Sequence, residues 1–273
     1  VSVRVPATSA NLGPGFDVLG LALSLYVKVG IAGTDAMPSE AIEANETHPA
    51  QIAFMRAGGQ GRLWVKNDIP MGRGMGFSGA VRIAGVVAAE VQRDGVWQRG
   101  SSEALAIGTE LEGHADNVAP SLHGGIVITS ENIVVQVPLV LDPAFVMWIP
   151  EFTTSTNESR GKIGPMIAIE DAVFNIARTA MFVAALSTGD TKLLREATRD
   201  RIHQDIRLAA SPPCKAALDA GLAAGAWCGW LSGSGPTVAI MCDVEEASRI
   251  AGDMPTDGRT MILRLDRDGV VVS

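Results

Sequence analysis

The sequence predicts an α+β protein made of two closely packed units, residues 1–143 and 144–273. Three observations lead there. At 273 residues the chain is long for one average domain and long enough to bury a substantial core. Strand-like alternation and helix-like periodicity both recur in each half. No internal repeat, low-complexity tract or flexible linker separates the halves, so they should pack against each other.

The elements follow in order. Val1 to Pro6 alternates as a strand, and the β-branched run from Asp17, "DVLGLALSLYVKVGI", supplies a second strand system, with the loop "ATSANLGPG" between them. Residues 34–48 are polar and irregular. "RLWVKND" at 62–68 alternates again and stops at Pro70, which a central strand would not tolerate. A glycine-rich loop comes next, then helix patterns over roughly 79–93 and 102–112, and a hairpin in "GGIVITSENIVVQVPL" at 124–139. "AFVMWIP" at 144–150 opens the second unit. Helices are expected near 169–187, 190–201 and 213–224, then strand, tight turn and strand in "WCGWLSGSGPTVAIMCD", then a last helix and strand.

Composition narrows the function classes. The chain is 47% hydrophobic and 19% charged, and no segment approaches the roughly 20 uncharged apolar residues that cross a bilayer. "VSVRVPATSANLGPGF" lacks the basic, apolar and small-residue sections of a signal peptide, so a cytoplasmic location is expected. Cys214, Cys228 and Cys242 are an odd number at wide spacing, which suggests buried thiols rather than disulfides or a zinc site. A net charge of −8 and a pI near 5.0 argue against a nucleic-acid surface. Any phosphate must be bound locally.

The stretch that invites phosphate is "PMGRGMGFSGAVRIAGVVAAEV", Pro70 to Val91. Gly74, Gly76 and Gly79 satisfy the dinucleotide pattern G-x-G-x-x-G, but Pro70 and a preceding strand bearing Arg62, Lys66, Asn67 and Asp68 do not suit a Rossmann βαβ unit. The Walker pattern also fails, because no Lys-Ser or Lys-Thr follows the last glycine. What remains is physical: glycines let backbone N–H groups turn inward, and the helix after Ser78 aims its positive end at the same spot. That is an anion cradle. A ligand-free bend between strand and helix is the plain alternative.

Three further stretches, "VPATSANLGPGFDVLGLAL", "ELEGHADNVAPSLHGG" and "LSGSGPTVAI", flank turns with apolar strand or helix. With the glycine loop, in this order and reaching beyond Asp243, they resemble the homoserine kinases of the GHMP kinase superfamily. "PATSANLGPGFD" and "GHADNVAPSLHGG" point to that family rather than to its sugar and mevalonate kinase relatives. The resemblance implies transfer of the ATP γ-phosphate to the side-chain hydroxyl of L-homoserine, on the threonine pathway, with Mg²⁺ accompanying the nucleotide. It also implies a two-domain fold: an amino-terminal domain of the ribosomal protein S5 type, a ferredoxin-like carboxyl-terminal domain, and the site between them. No nucleic-acid or membrane partner is expected, and a homodimer stays an open alternative.

By that resemblance Pro70, Met71, Gly72, Arg73, Gly74, Met75, Gly76, Phe77, Ser78, Gly79 and Ala80 form the ATP-phosphate loop. Ser78 stands at a metal-approaching position, and Glu110 is preferred to Glu112 as its acidic partner. Read without the family, acids at i and i+2 lie on different helix faces, so at most one serves the site. Asn11, Asp17, His114, Asp116 and Asn117 match positions around the homoserine amine and hydroxyl, with Asp17 and Asn117 nearest the reacting group. Thr156, Arg160 and Arg207 match positions that grip a carboxylate, which arginine can do with two parallel hydrogen bonds. Gly233 in "SGSG" brings a turn against the substrate. Homoserine kinases are thought to lack an evident catalytic base, so Asp17 is assigned to substrate binding, with a part in accepting the proton.

The sequence departs from the family at Phe77, where the usual loop has the first of two serines. A cradle built from N–H groups survives if the ring turns away, at the loss of one hydroxyl ligand. Residues 34–61 are short where relatives build part of the adenine pocket. A kinase for another small hydroxylated carboxylate, or a nucleotide-binding relative with weakened catalysis, are the alternatives.

Overall fold

The computed structural model describes residues 2–131, 133–154 and 156–273, apart from the side chains of 156–158. The first sheet is built on β1 (Val3–Ala10) and β2 (Leu19–Ile31), paired antiparallel with a register shift between Pro6 and Ala7. Pro6 has no N–H to give to a ladder, and the bulge beside it absorbs the mismatch. β2 is long enough to serve two partners on its other edge. Val27 to Ile31 pair with β4 (Leu63–Asn67), which carries β3 (Ile42–Glu43), while Leu19 to Leu21 pair with β5 (Ile126–Ser130), which carries β6 (Ile133–Gln136). The last strand, β11 (Val271–Val272), returns to pair with β1, which completes seven strands.

Helices α1 (Pro49–Arg56), α2 (Phe77–Asp94), α3 (Ser102–Glu112) and α4 (Ala115–His123) belong to this half of the fold. α2 is the central one and is buried nearly all round, as its alanine and valine content requires. Gly85 admits α1, because a Cβ there would stand 2.2 Å from the Ala50 carbonyl oxygen. α1 falls in the stretch 34–61, short relative to the family, where the sequence reading places no helix; it starts with Pro49 in its first turn and His48 accepting the Ala50 N–H at 3.1 Å. α4 was also invisible to periodicity, since Pro120 lies inside it. Pro120 cannot donate to the Asp116 carbonyl four residues back, and Gly20 of β2 packs against that carbonyl, where a Cβ would come within 1.9 Å.

The second sheet has the order β10 (Gly258–Arg264), β7 (Ala144–Pro150), β9 (Val238–Cys242), β8 (Cys228–Leu231), all antiparallel. Chain order is strand, helices, two strands, helix, strand, with α6 (Ile169–Thr188), α7 (Thr191–Ala197), α8 (Gln204–Ala209) and α9 (Pro212–Ala223) in the first crossover and α10 (Ala247–Gly252) in the second. That is the ferredoxin-like arrangement the resemblance implied. A short helix, α5 (Thr156–Gly161), follows β7. Phe145, Met147 and Ile149 join the core shared with the first sheet, while Ala144, Val146 and Trp148 join a second cluster with Cys214, Leu218 and Ile250. β7 is therefore buried on both faces and reads as an unbroken apolar run. All three cysteines are free and buried, and burial raises each thiol pKa, which suits the inert role expected of them.

Candidate active site

The glycine loop joins β4 to α2 and turns left-handed three times, at Gly72 (φ +67°), Gly74 (+71°) and Gly76 (+66°). Two of these positions are also crowded. A Cβ on Gly74 would lie 2.2 Å from the Ser232 carbonyl oxygen, and one on Gly76 would lie 1.8 Å from Thr8 Oγ1. Only glycine meets both demands. The loop is fastened on all sides by its own backbone: Thr8 N–H donates to Met75 O at 3.2 Å, Thr237 N–H to Arg73 O at 3.3 Å, and Ser232 Oγ to Gly74 O at 2.6 Å. Gly76 caps α2 without any side-chain hydrogen bond, so the positive end of that helix is left to the cleft.

This cleft, of about 280 Å³, is lined by Pro70, Gly72, Arg73, Gly74, Met75, Gly76, Phe77 and Ser78 at one end. Asn11, Asp17, His114, Asp116, Asn117, Arg160, Arg207 and Gly233 line the other. One cavity thus gathers most of the residues singled out in sequence from both units. Three of the expected loop positions do not line it: Met71 is exposed, and Gly79 and Ala80 are buried in the first turns of α2. Phe77 lines the cleft but its ring packs edge-on to His48 of α1, 6.5 Å between centroids, and against the core. Thr156 opens α5, and its side chain lies outside the described residues.

The acid beside Ser78 is Glu112, which corrects the preference for Glu110. Ser78 Oγ donates to Glu112 Oε2 at 2.8 Å, whereas Glu110 faces away and pairs with Arg56 at 2.8 Å, both more than half exposed. Two residues along a helix amount to about 200° of rotation, so α3 could turn only one of the two inward. Arg82 joins the same spot, donating to both Ser78 Oγ and Glu112. Sequence reading missed this arginine. The available signal was its spacing: residue 82 is one turn after Ser78 on the same face.

At the other end of the cleft, Asn11 (φ +72°) and Asp17 (φ +58°) are left-handed, a conformation that their short polar side chains tolerate. Asn11 accepts the Asp17 N–H at 3.1 Å and donates to Gly233 O at 2.8 Å, tying the loop after β1 to the turn between β8 and β9. Arg160 Nη2 donates to both Asp17 carboxylate oxygens, at 2.7 and 2.9 Å. Arg207 is buried and donates to His203 Nδ1 at 3.0 Å and Gly233 O at 3.3 Å. Because Nδ1 accepts from arginine, the ring proton belongs on Nε2, which meets Gly13 O at 2.7 Å. His203 therefore couples Arg207 to the loop holding Asp17. The Nε atoms of Arg160 and Arg207 are buried without a hydrogen-bond partner among the described residues, as are those of Arg4 and Arg178 away from the cleft.

Asn117 accepts from Thr8 Oγ1 at 2.8 Å, and its neighbour Asp116 is 3% exposed. Burial, reinforced by the charge of Asp17 and partly offset by Arg160, pushes the Asp116 carboxyl up to about 7. His114 moves the other way, held neutral by burial and then by Arg160. Between the unfolded carboxyl value near 4 and the folded value near 7, the native protein keeps a proton that the unfolded chain has lost. The stabilisation is complete below about pH 4 and disappears as the pH rises through about 7. From pH 5 to 8 this should remove roughly 2.5 kcal/mol, and urea midpoints for Asp116→Asn should lose that part of the parent's pH dependence. Equal pH slopes for the two proteins would contradict the assignment.

A larger concavity than this cleft lies elsewhere. It measures about 990 Å³ and runs along α6 between Phe16, Ile128, Ile163, Ile176 and Val183. Its lining is mostly apolar, with Arg160, Asn175, Thr179 and Ser187 as its polar members, and it has no glycine loop or cluster of cations to hold a polyphosphate.

Comparison with known proteins agrees with this geometry. The GHMP kinases N terminal domain matches residues 43–125, and the GHMP kinases C terminal domain matches residues 182–259. A homoserine kinase of Desulfitobacterium hafniense is 36% identical, covering 100% of this chain and 99% of its own length. One of Thermus thermophilus is 37% identical over 95% of this chain and 94% of its own. Among solved structures, homoserine kinase from Cytophaga hutchinsonii superposes with a TM-score of 0.85 at 26% identity, covering 99% of this chain and 96% of that one. A mevalonate kinase at 12% identity and a TM-score of 0.74, over 98% of this chain and all of that one, shares the fold. The expected two-domain α+β architecture is thereby established. With a relative of this identity aligned along its whole length, the chain belongs to the GHMP kinases and, within them, to the homoserine kinase family.

Proposed function

We propose that the protein transfers the γ-phosphoryl group of ATP to the side-chain hydroxyl of L-homoserine, releasing ADP and O-phospho-L-homoserine. The observation that carries this reading is the single cleft in which an N–H-lined glycine loop and a helix N-terminus face two arginines and two aspartates. Phosphoryl transfer asks the protein mainly to hold two oxygens in line and to neutralise charge. The loop from Gly72 to Gly76 and the first turn of α2 take the β- and γ-phosphates.

Homoserine is a zwitterion, and the other end of the cleft is matched to one. In the free protein Asp17 and Arg160 satisfy each other. A substrate ammonium on Asp17 and Asp116, and a carboxylate on Arg160 and Arg207, exchange that internal pair for two pairs with the ligand. Asn117, held by Thr8, and Asp17 are then the groups beside the hydroxyl. The new O–P bond forms as the bond to the β–γ bridging oxygen breaks, and the hydroxyl proton passes toward Asp17 or directly to the transferred phosphoryl oxygens.

Mg²⁺ suits the hard oxygen donors present: Ser78 and Glu112 would hold it, and bound there it would supply neutralisation of phosphate charge. Those two oxygens already attract a cation, the Arg82 guanidinium. No group of three or more His, Cys, Asp or Glu side chains placed to hold a metal ion occurs among the described residues. We further propose the division near residues 143 and 144, with β11 the exception that crosses back. No helix is long and apolar enough to cross a membrane among the described residues. A cytoplasmic location and a homodimer belong to the same proposal.

The experiment is ADP release with homoserine, serine, mevalonate and a sugar panel, with and without Mg²⁺. Homoserine should exceed every other acceptor by at least about tenfold in kcat/KM, a discrimination that paired charges on ammonium and carboxylate can supply. Equal use of mevalonate would end the amino-acid assignment, and absence of ADP release with all of them would end the kinase assignment.

A further inference from the structure

Arg82 has no role in the reading above, yet it occupies the place reserved for the metal. It lies on α2 four residues after Ser78, and helical side chains lean toward the N-terminus, so its guanidinium returns to the first turn of the helix. There it is held by Ser78 Oγ and the Glu112 carboxylate, the Arg82 and Glu112 side chains being only 22% and 19% exposed. A largely buried ion pair is weak evidence for a stabilising role, because desolvation cancels much of its attraction.

The other cations of the cleft are committed. Arg73 donates to the Pro150 and Glu151 carbonyl oxygens, at 2.9 and 2.6 Å, while Arg160 and Arg207 serve the opposite end with Asp17 and His203. Arg82 is thus the cationic side chain available to a triphosphate at the α2 end among the described residues. Phe77, one position before Ser78, contributes no hydroxyl there.

We infer that Arg82 is a phosphate-binding residue that shares the Ser78–Glu112 pair with the metal ion. In the free protein it rests on the pair. When a triphosphate enters, it turns onto phosphate oxygens and leaves Ser78 and Glu112 to Mg²⁺. The inference rests on the kinase reading, and it predicts that part of the nucleotide affinity persists without metal.

The test is calorimetric titration of a non-hydrolysable ATP analogue, in EDTA and in Mg²⁺, against the parent, Arg82→Gln, Arg82→Lys and Glu112→Gln, each checked by thermal melting. In EDTA, Arg82→Gln should bind roughly ten- to a hundredfold more weakly, the size of a lost charge-assisted hydrogen bond, and Arg82→Lys should recover part of it. Glu112→Gln should bind at least as tightly as the parent in EDTA, because its arginine is released and a negative charge is gone, but should lose the enhancement by Mg²⁺. Opposite signs for the two partners distinguish phosphate binding from a structural strut. If Arg82→Gln stays within twofold of the parent in EDTA, or weakens binding only as much as Glu112→Gln does, the inference is overturned. If Arg82→Gln does not fold, Arg82→Lys against Glu112→Gln decides by the same signs. A parent that binds no analogue even with Mg²⁺ would instead remove the kinase reading.

Discussion

Gly74→Ala is expected to lower the melting temperature by about 5–10 °C and to raise the KM for ATP at least tenfold, the larger of two glycine-loop effects. The added methyl would stand 2.2 Å from the Ser232 carbonyl oxygen and 2.9 Å from that of Gly235, both backbone atoms that no rotamer change can move. It would also hold an L-residue at φ +71°. Strain of about 1–2 kcal/mol from the dihedral, with a comparable or larger steric cost, corresponds to that shift for a chain of this size. The loop would have to leave the turn between β8 and β9, breaking the Ser232 hydrogen bond to Gly74 O and displacing the amides that face the phosphates. Gly72→Ala is the internal control. Its φ is similar, but the nearest atom to its Cβ is a Thr153 methyl at 3.5 Å, so only the dihedral cost of about 1 kcal/mol applies. Differential scanning calorimetry and ATP saturation curves report both. Matching behaviour of the two variants would show that the loop does not depend on its contact with Ser232.

Asp17→Asn should reduce kcat/KM for homoserine by roughly a hundredfold or more while leaving ATP-analogue binding and the melting temperature nearly unchanged. Asparagine tolerates the left-handed backbone and keeps the same N–H for Asn11, so the loop is preserved. What disappears is the charge. The Asp17–Arg160 pair is about one-third exposed on each side, and pairs in that setting contribute less than about 1 kcal/mol to folding. Within a closed complex, where the carboxylate meets a substrate ammonium and water is excluded, removing one partner of a charge pair costs about 2–5 kcal/mol. Function and stability should therefore separate in this variant. Kinetics indistinguishable from the parent would take Asp17 out of the substrate site, and a large loss of melting temperature would reassign it to the scaffold.

Much of the fold was legible because its signals are local. β7 and β9 are short apolar runs bounded by turn residues, β4 stops before Pro70, and α2 and α6 are long enough for their composition to declare them. Four short helices were not legible. α1, α5 and α8 span eight, six and six residues, too few for a period of 3.6 to register; α1 is packed on α2, and α8 on α9 and β8. α4 carries a proline that argues against a helix until Gly20 is seen packed on the freed carbonyl.

The candidate site divides in the same way. The requirement for glycine at 72, 74 and 76 is written into the chain, since left-handed turns and close backbone approach exclude other residues. The residues proposed to meet a zwitterion were named through the resemblance to homoserine kinases rather than through any local pattern. What the tertiary structure alone decided is phase and partnership. Packing of α3 selected Glu112 over Glu110 by rotating one of them inward. The pairing of Asp17 with Arg160 joins positions 143 apart, and the support that His203 gives to Gly13 spans 190. Sequence specifies which side chains exist and what the nearby backbone can do; which of them meet depends on how whole elements dock, and that is set by the burial of apolar faces far from the chemistry.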